Sequence, residues 1–529
     1  MDVLVDFRNK DMIEQIMELD QVRESRDPAA IPALFDLYAN PLGDQAVDEM
    51  VYHALFELLA GQHEAIRDGL SHPSAAVRVM CIRRATEEKA EMLKEPLAEL
   101  LGATKSASLQ GEILRALSQY HDPALAQAFI SCLNNDDYTV VAWALRGLSA
   151  INTPEVREVL VGLINNSDEV KGTAPGCDLR TAMAVESLAG FGDAAAVDFL
   201  IAFIHHADAS FRRVVLGAIA SMGEVALPAL ERVLESGDRD EKIMAANTLG
   251  FTQHKKAADI LVAHLEEAKE PNLRFAVYEA LGRINSIRSV IGLADGLNEQ
   301  DELVLMAVIT ALDHLTNPGV VKVVKEALAK ADGQSEQLAK TIAAARAEAL
   351  FAALYKDGSH NPMLLKVIHS SGDAELVAVF RAVLEQIGTD DARADAAKLS
   401  AAPVAEASGK RLLAADDSKA MLFFYKGVAA DLGMELVTVT DGKEAFDYLQ
   451  QDSRFDLIIT DMNMPNMDGI ELTRELRKRS DLDGVPILMA TTESEKGQSD
   501  RAREAGVTDF ITKPFSKEDF KAKISAMFG

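Results

Sequence analysis

The chain has 529 residues and a formal net charge of −29, from 54 Lys and Arg against 83 Asp and Glu; 48% of it is hydrophobic and 5% aromatic. That apolar content excludes a disordered chain, and the few aromatics argue against an aromatic-rich β-sandwich. The acidity repels phosphate backbones and no window reaches about 18 uncharged apolar residues, so neither nucleic-acid binding nor membrane insertion is expected.

Three cysteines (Cys81, Cys132, Cys177) lie far apart without metal-ligand spacing. Together with charges among the first ten residues, where a secretory signal needs an apolar run, they fit a reducing, cytoplasmic setting. Residues 1–29 read as a helical cap, with a first helix over Lys10–Glu24. From residue 30 to about 390 a pattern recurs, in which an apolar helix ends in Leu or Ile before a small or polar turn. It is seen at Leu117, Leu148, Leu188, Ile219, Leu249, Leu281 and Leu312, at spacings of 31, 40, 31, 30, 32 and 31. Leu55 continues it backwards through a weak match at Thr86, and Leu350 and Leu384 continue it forwards.

Each period holds two helical stripes. Leu227, Leu230, Val233 and Leu234 share one face, a Ser236–Asp238 turn follows, and Ile243, Ala246 and Leu249 open the second helix. Helices this short cannot bury a stripe alone, so stacked pairs must cover one another. About eleven such pairs resemble short HEAT-like repeats, which implies an all-α superhelical solenoid. The 40-residue spacing holds a loop at 165–177 about nine residues too long, a place where solenoids carry either neutral insertions or binding loops. The unit around Gly333–Leu354 is Ala-rich, and longer helices are expected there. No catalytic motif appears in the array; the pair His205-His206 has no ligand spacing around it.

Between residues 391 and 410 bulky apolar residues nearly vanish, which reads as a linker. The period then switches to short strands alternating with amphipathic helices. The strands are β1 (Arg411–Ala415), β2 (Met434–Val439), β3 (Phe455–Thr460), β4 (Val485–Ala490) and β5 (Asp509–Thr512). Five strands and five helices in residues 411–529 predict an α/β doubly wound parallel sheet, with ligands beyond the strands' carboxyl ends.

At those ends stand Asp416-Asp417, Asp461, Thr491 and Lys513-Pro514. Three converging carboxylates repel one another unless a divalent cation neutralises them, and hard oxygen ligands suit Mg2+. A carboxylate oxygen beside such a cation and a lysine ammonium is equipped to attack phosphorus. The stretches Ala-Asp416-Asp417-Ser, Thr-Asp461-Met-Asn463-Met-Pro465-Asn-Met-Asp468-Gly469, Pro486-Ile-Leu-Met-Ala-Thr491-Thr and Phe510-Ile-Thr-Lys513-Pro514-Phe515 closely resemble a chemotaxis-type response-regulator receiver of flavodoxin-like fold. The resemblance implies that Asp461 is the phosphoacceptor and that Asp416, Asp417, Asp461 and the Asn463 backbone carbonyl hold Mg2+. It implies further that Lys513 pairs with the phosphoryl group and that Thr491 and Phe510 form the switch. Pro514 follows a cis bond in that family, and Gly469 ends the loop over the site.

A receiver of this kind implies a histidine kinase or phosphotransfer protein as donor, since this chain shows no ATP-binding glycine boxes. It is not an enzyme beyond its own phosphorylation and dephosphorylation. The array is then expected to be a scaffold for a protein target under receiver control. Residues 411–529 carry a net charge of −6 and the remainder −23, so a basic partner fits best. A lyase or chaperone role for a cofactor protein is an alternative; a DNA-binding output lacks a basic recognition element.

Overall fold

The computed structural model describes residues 4–172, 177–330, 333–371, 373–399, 409–491 and 496–528, with backbone alone for 496–499. The chain forms two compact units, one reaching to residue 191 apart from 172–177 and the other taking the residues from 192 onward.

The first unit opens with a helix at Met12–Ser25, started by a capping box between Asp11 and Glu14. Helical pairs follow, such as Ile31–Ala39 with Gln45–Leu58 and Lys94–Ala103 with Ala107–Leu117. Part of the acid excess has a local purpose. Asp44, Asp137, Asp178, Asp193, Asp208, Asp238 and Asp301 are each an N-cap whose carboxylate accepts a backbone N–H of the first turn.

Every leucine or isoleucine of the recurring pattern from Leu55 to Leu384 is fully buried. Leu350 differs in phase, standing near the start of its helix, Glu348–Asp357. Part of the over-long loop at 165–177 is helical, at Asp168–Lys171, and its buried Glu169 accepts hydrogen bonds from Thr181 Oγ1 (3.0 Å) and the Asp178 backbone. Residues 173–176 of the insertion lie outside the described residues.

The expectation of longer helices around Gly333–Leu354 is not met. Gly333–Ala344 and Glu348–Asp357 are of ordinary length, and the added residues form a tight turn in which Arg346 takes a left-handed φ of 46°. The Arg346 guanidinium holds that turn by bonding Asp373 (3.1 Å) and Glu375 (3.2 Å). A helix at Asp390–Lys398 covers the start of the predicted linker and packs on Ala374–Ile387; residues 400–408 lie outside the described residues.

The C-terminal sheet is parallel in the order β2-β1-β3-β4-β5. Its strands are β1 (Arg411–Ala415), β2 (Glu435–Val439), β3 (Leu457–Asp461), β4 (Ile487–Thr491) and β5 (Asp509–Thr512). The helices are α1 (Lys419–Asp431), α2 (Gly442–Gln451), α3 (Gly469–Arg477), α4 (Lys496–Ala505) and α5 (Lys517–Met527). β3 and β4 are buried throughout, as central strands covered on both faces must be. Both begin and end later than the sequence implied, so Asp461 and Thr491 are themselves strand residues held by the ladder. No single helix among the described residues is long and apolar enough to cross a membrane.

Candidate functional site

The strand order puts its switch point between β1 and β3, and both strands end in acid. β1 runs into Asp416 and Asp417, and Asp461 closes β3, where it pairs with Ala490 of β4. Carboxylate oxygens of Asp416, Asp417 and Asp461 all lie within 4.8 Å of one another. Lys513, one residue beyond β5, reaches between two of them: its Nζ is 2.7 Å from Asp416 Oδ2 and 2.7 Å from Asp461 Oδ1. Lys513, Asp416 and Asp461 are 5%, 0% and 7% exposed, so one ammonium faces three carboxylates with little water to screen them.

The electrostatics follow from that crowding. Burial pushes the Asp461 carboxyl up to about 7; Lys513 pulls it down, and Asp416 and Asp417 push it further up. Burial also lifts Asp417 to about 6, against the pull of the Arg283 guanidinium. Burial opposes the Lys513 ammonium, yet Asp416 and Asp461 outweigh it and raise that group well above its ordinary value. Such a donor set, hard, anionic and short of positive charge, fits a divalent cation.

The loops are fixed by their own caps. Asp416 Oδ1 accepts from Ser418 N (3.0 Å), and Ser418 is the N-cap of α1, accepting from Met421 N (3.2 Å). Asp461 Oδ2 accepts from Asn463 N (3.1 Å). Asp468 caps α3, accepting from Ile470 N and Glu471 N. Gly469 lies against the β3 backbone, where a Cβ would stand 2.2 Å from the Asp461 carbonyl oxygen. Any side chain there would displace the strand that carries Asp461.

The sequence-derived residues divide into two groups. Asp416, Asp417, Asp461, Asn463 and Lys513 meet at one point. Thr491 is buried at the end of β4, with its hydroxyl 3.8 Å from Met462 Sδ, and its carbonyl accepts from Lys513 N (2.7 Å). Phe510 sits away from the carboxylates, half-buried against Met462, Ile470, Met489 and Ala502, with the Arg503 guanidinium 5.8 Å above its ring. The Lys513–Pro514 peptide is cis.

Sequence reasoning missed two sets of residues. Tyr425, fully buried in α1, donates its hydroxyl to Asp416 Oδ2 (3.1 Å); its one signal was a polar tip on the apolar stripe of that helix. The other set comes from the helical repeats, which lie against this face of the sheet. Ser210 Oγ donates to Asp468 Oδ2 (2.8 Å), Arg212 Nη2 donates to Asn463 Oδ1, and Asn272 Nδ2 donates to the Lys513 carbonyl (2.6 Å). Ser418 Oγ donates to Glu279 Oε1, and Arg283 Nη2 is 3.8 Å from Asp417 Oδ2. Ala209 packs into the apolar cluster beside Phe510. Farther out, Lys426 of α1 pairs with Glu375 (2.9 Å).

A family model described as the response regulator receiver domain matches residues 412–525, and one for HEAT repeats matches 94–174, 177–242 and 227–313. A chemotaxis protein CheY homolog of Campylobacter jejuni is 37% identical over 120 residues, which are 22% of this chain and 92% of that protein. Chemotaxis protein CheY1 of Helicobacter pylori is 37% identical over 120 residues and is covered to 97%. The solved structure of chemotaxis protein CheY4 of Vibrio cholerae shares 35% identity, with a TM-score of 0.22, and covers 23% of this chain and 99% of its own. With the sheet order, the acid-lined switch point and the helical pairs in place, the chain belongs to the response regulators, as a CheY-like receiver domain joined to an N-terminal array of HEAT repeats.

Proposed function

We propose that Asp461 accepts a phosphoryl group from a phosphohistidine on a separate histidine kinase or phosphotransfer protein, and that the modified receiver changes which protein the array binds. The observation that carries this reading is the meeting of three buried carboxylates with the Lys513 ammonium at the sheet's switch point.

Asp416, Asp417 and Asp461, with the Asn463 backbone carbonyl, would hold Mg2+, which when bound neutralises the cluster and the incoming phosphoryl oxygens. A carboxylate oxygen of Asp461 attacks phosphorus. The new O–P bond forms as the P–N bond breaks, and its electron pair returns to the imidazole. Lys513, freed from its bond to Asp461 Oδ1 by the arriving group, offsets charge on the transferring oxygens. Thr491, at the end of the neighbouring strand, then bonds a phosphoryl oxygen, and Phe510 fills the space beside it. The array's acid excess favours a basic target surface.

Wild-type chain incubated with a phosphorylated kinase and Mg2+ is expected to gain a hydroxylamine-labile acyl phosphate at residue 461. Asp461→Asn should gain none, and chelation of Mg2+ should slow uptake by at least about tenfold. Equal labelling of Asp461→Asn would remove the assignment.

A further inference from the structure

Two arginines of the array stand at the pocket that holds the phosphoacceptor. A cavity of about 240 Å³ lies between the repeats and the receiver, lined by Arg212, Glu279 and Arg283 on one side and by Asp417, Asp461 and Lys513 on the other. Arg283 is held flat, its guanidinium 4.6 Å above the Phe251 ring. Its Nη2 is 3.8 Å from Asp417 Oδ2, too long for a hydrogen bond, and its Nη1 is buried with no hydrogen-bond partner among the described residues.

A buried donor left unpaired is costly and calls for a ligand or a function. Arg212 is 1% exposed, with Nη1 anchored on the His206 carbonyl (2.6 Å) and Nη2 on Asn463, two residues past Asp461. A planar guanidinium matches phosphoryl oxygens in a two-pronged fashion that a lysine cannot reproduce. Glu279, one helical turn before Arg283, accepts from the Ser418 hydroxyl, so the Arg283 fork, stacked on its ring, meets Asp417 only as a long ion pair at 3.8 Å, with Nη1 left over.

Resting on the reading of Asp461 as phosphoacceptor, we propose that the phosphoryl site is built jointly by receiver and array, with Arg283, supported by Arg212, binding the oxygens of phospho-Asp461. The array then senses phosphorylation through its own side chains. The bound arginine also keeps water from the acyl phosphate and lengthens its life.

The test uses the full chain with Mg2+ and beryllofluoride, followed by fluorine NMR, together with the half-life of the acyl phosphate. Arg283→Gln should weaken beryllofluoride binding about tenfold and shorten the half-life several-fold. Arg283→Lys should recover part of both. Phe251→Leu, which removes the ring that holds Arg283 but keeps the charge, should weaken beryllofluoride binding by a smaller factor than Arg283→Gln. Arg283→Met, which keeps the stem and drops the charge, reads the same way should the glutamine variant not fold. Wild-type affinity and half-life in the charge-free variants would overturn the shared site while leaving the phosphoacceptor intact. A wild-type chain that binds no beryllofluoride would overturn both.

Discussion

The neutral His206 shows how single side chains set the response of this molecule to pH. It lies at the foot of the helix that carries Arg212, with Nδ1 accepting from Asp208 N (3.1 Å) and its ring edge-on to Phe211 at 4.8 Å. Burial holds its ordinary value of 6.5 down, Asp208 raises it, and Arg501 and Arg212 lower it further. The unfolded chain therefore takes up this proton at a higher pH than the folded one. The stability tied to a neutral His206 is complete above about 6.5 and is lost as pH falls from there toward the lower folded value. His206→Asn keeps an acceptor and removes the titration. In thermal melts from pH 8 to pH 5, wild type should lose ground to this variant below about pH 6.5; parallel curves would show that the buried imidazole does not titrate differently in the fold. The clustered carboxylates Asp416, Asp417 and Asp461 were legible as letters because each sits at a strand end in a fixed order. Arg212, Glu279 and Arg283 were not, because nothing in a repeat's own pattern says which of its polar positions will meet another domain.

Among the elements, the repeats and the sheet were legible for different reasons. A buried leucine every 31 residues or so reports a helix that must cover its neighbour, and each member of that series from Leu55 to Leu384 is in the core. The unit at Gly333–Leu354 misled because alanine content speaks for helix and says nothing of a turn held by Arg346 and two acids. Strand ends slipped by one or two residues because apolar runs mark the middle of a strand, whereas the ladder decides its limits. The junction of β3 with α3 is the tightest point of the receiver. Gly469→Ala, whose Cβ would stand 2.2 Å from a backbone oxygen, should lower stability by about 1–3 kcal/mol in urea unfolding and reduce phosphoryl uptake. Gly427→Ala, in α1 with nothing within 4 Å of its Cβ, should instead stabilise by up to about 1 kcal/mol. Equal effects of the two would mean that the close packing over Asp461 carries no weight.

At the scale of the second compact unit, the receiver rests its reactive face on the repeats. Helix Ala209–Ser221 reaches Asn463 and Asp468, helix Pro271–Arg283 reaches the Lys513 carbonyl, Ser418 and Asp417, and Glu375 holds α1 at a distance from the site. Two receiver N-caps, Ser418 and Asp468, bond the array with the same side chains that start their helices. On the proposed reading, a phosphoryl group at Asp461 would meet two arginines of the array as well as Lys513, and the array would not need a distant surface to change shape. The most direct measurement is amide hydrogen exchange of the full chain with and without Mg2+ and beryllofluoride. The account predicts that residues 209–221 and 271–283 exchange more slowly once the phosphoryl mimic is bound, as Arg212 and Arg283 close on it. Unchanged exchange in both helices, with the mimic bound at Asp461, would contradict it.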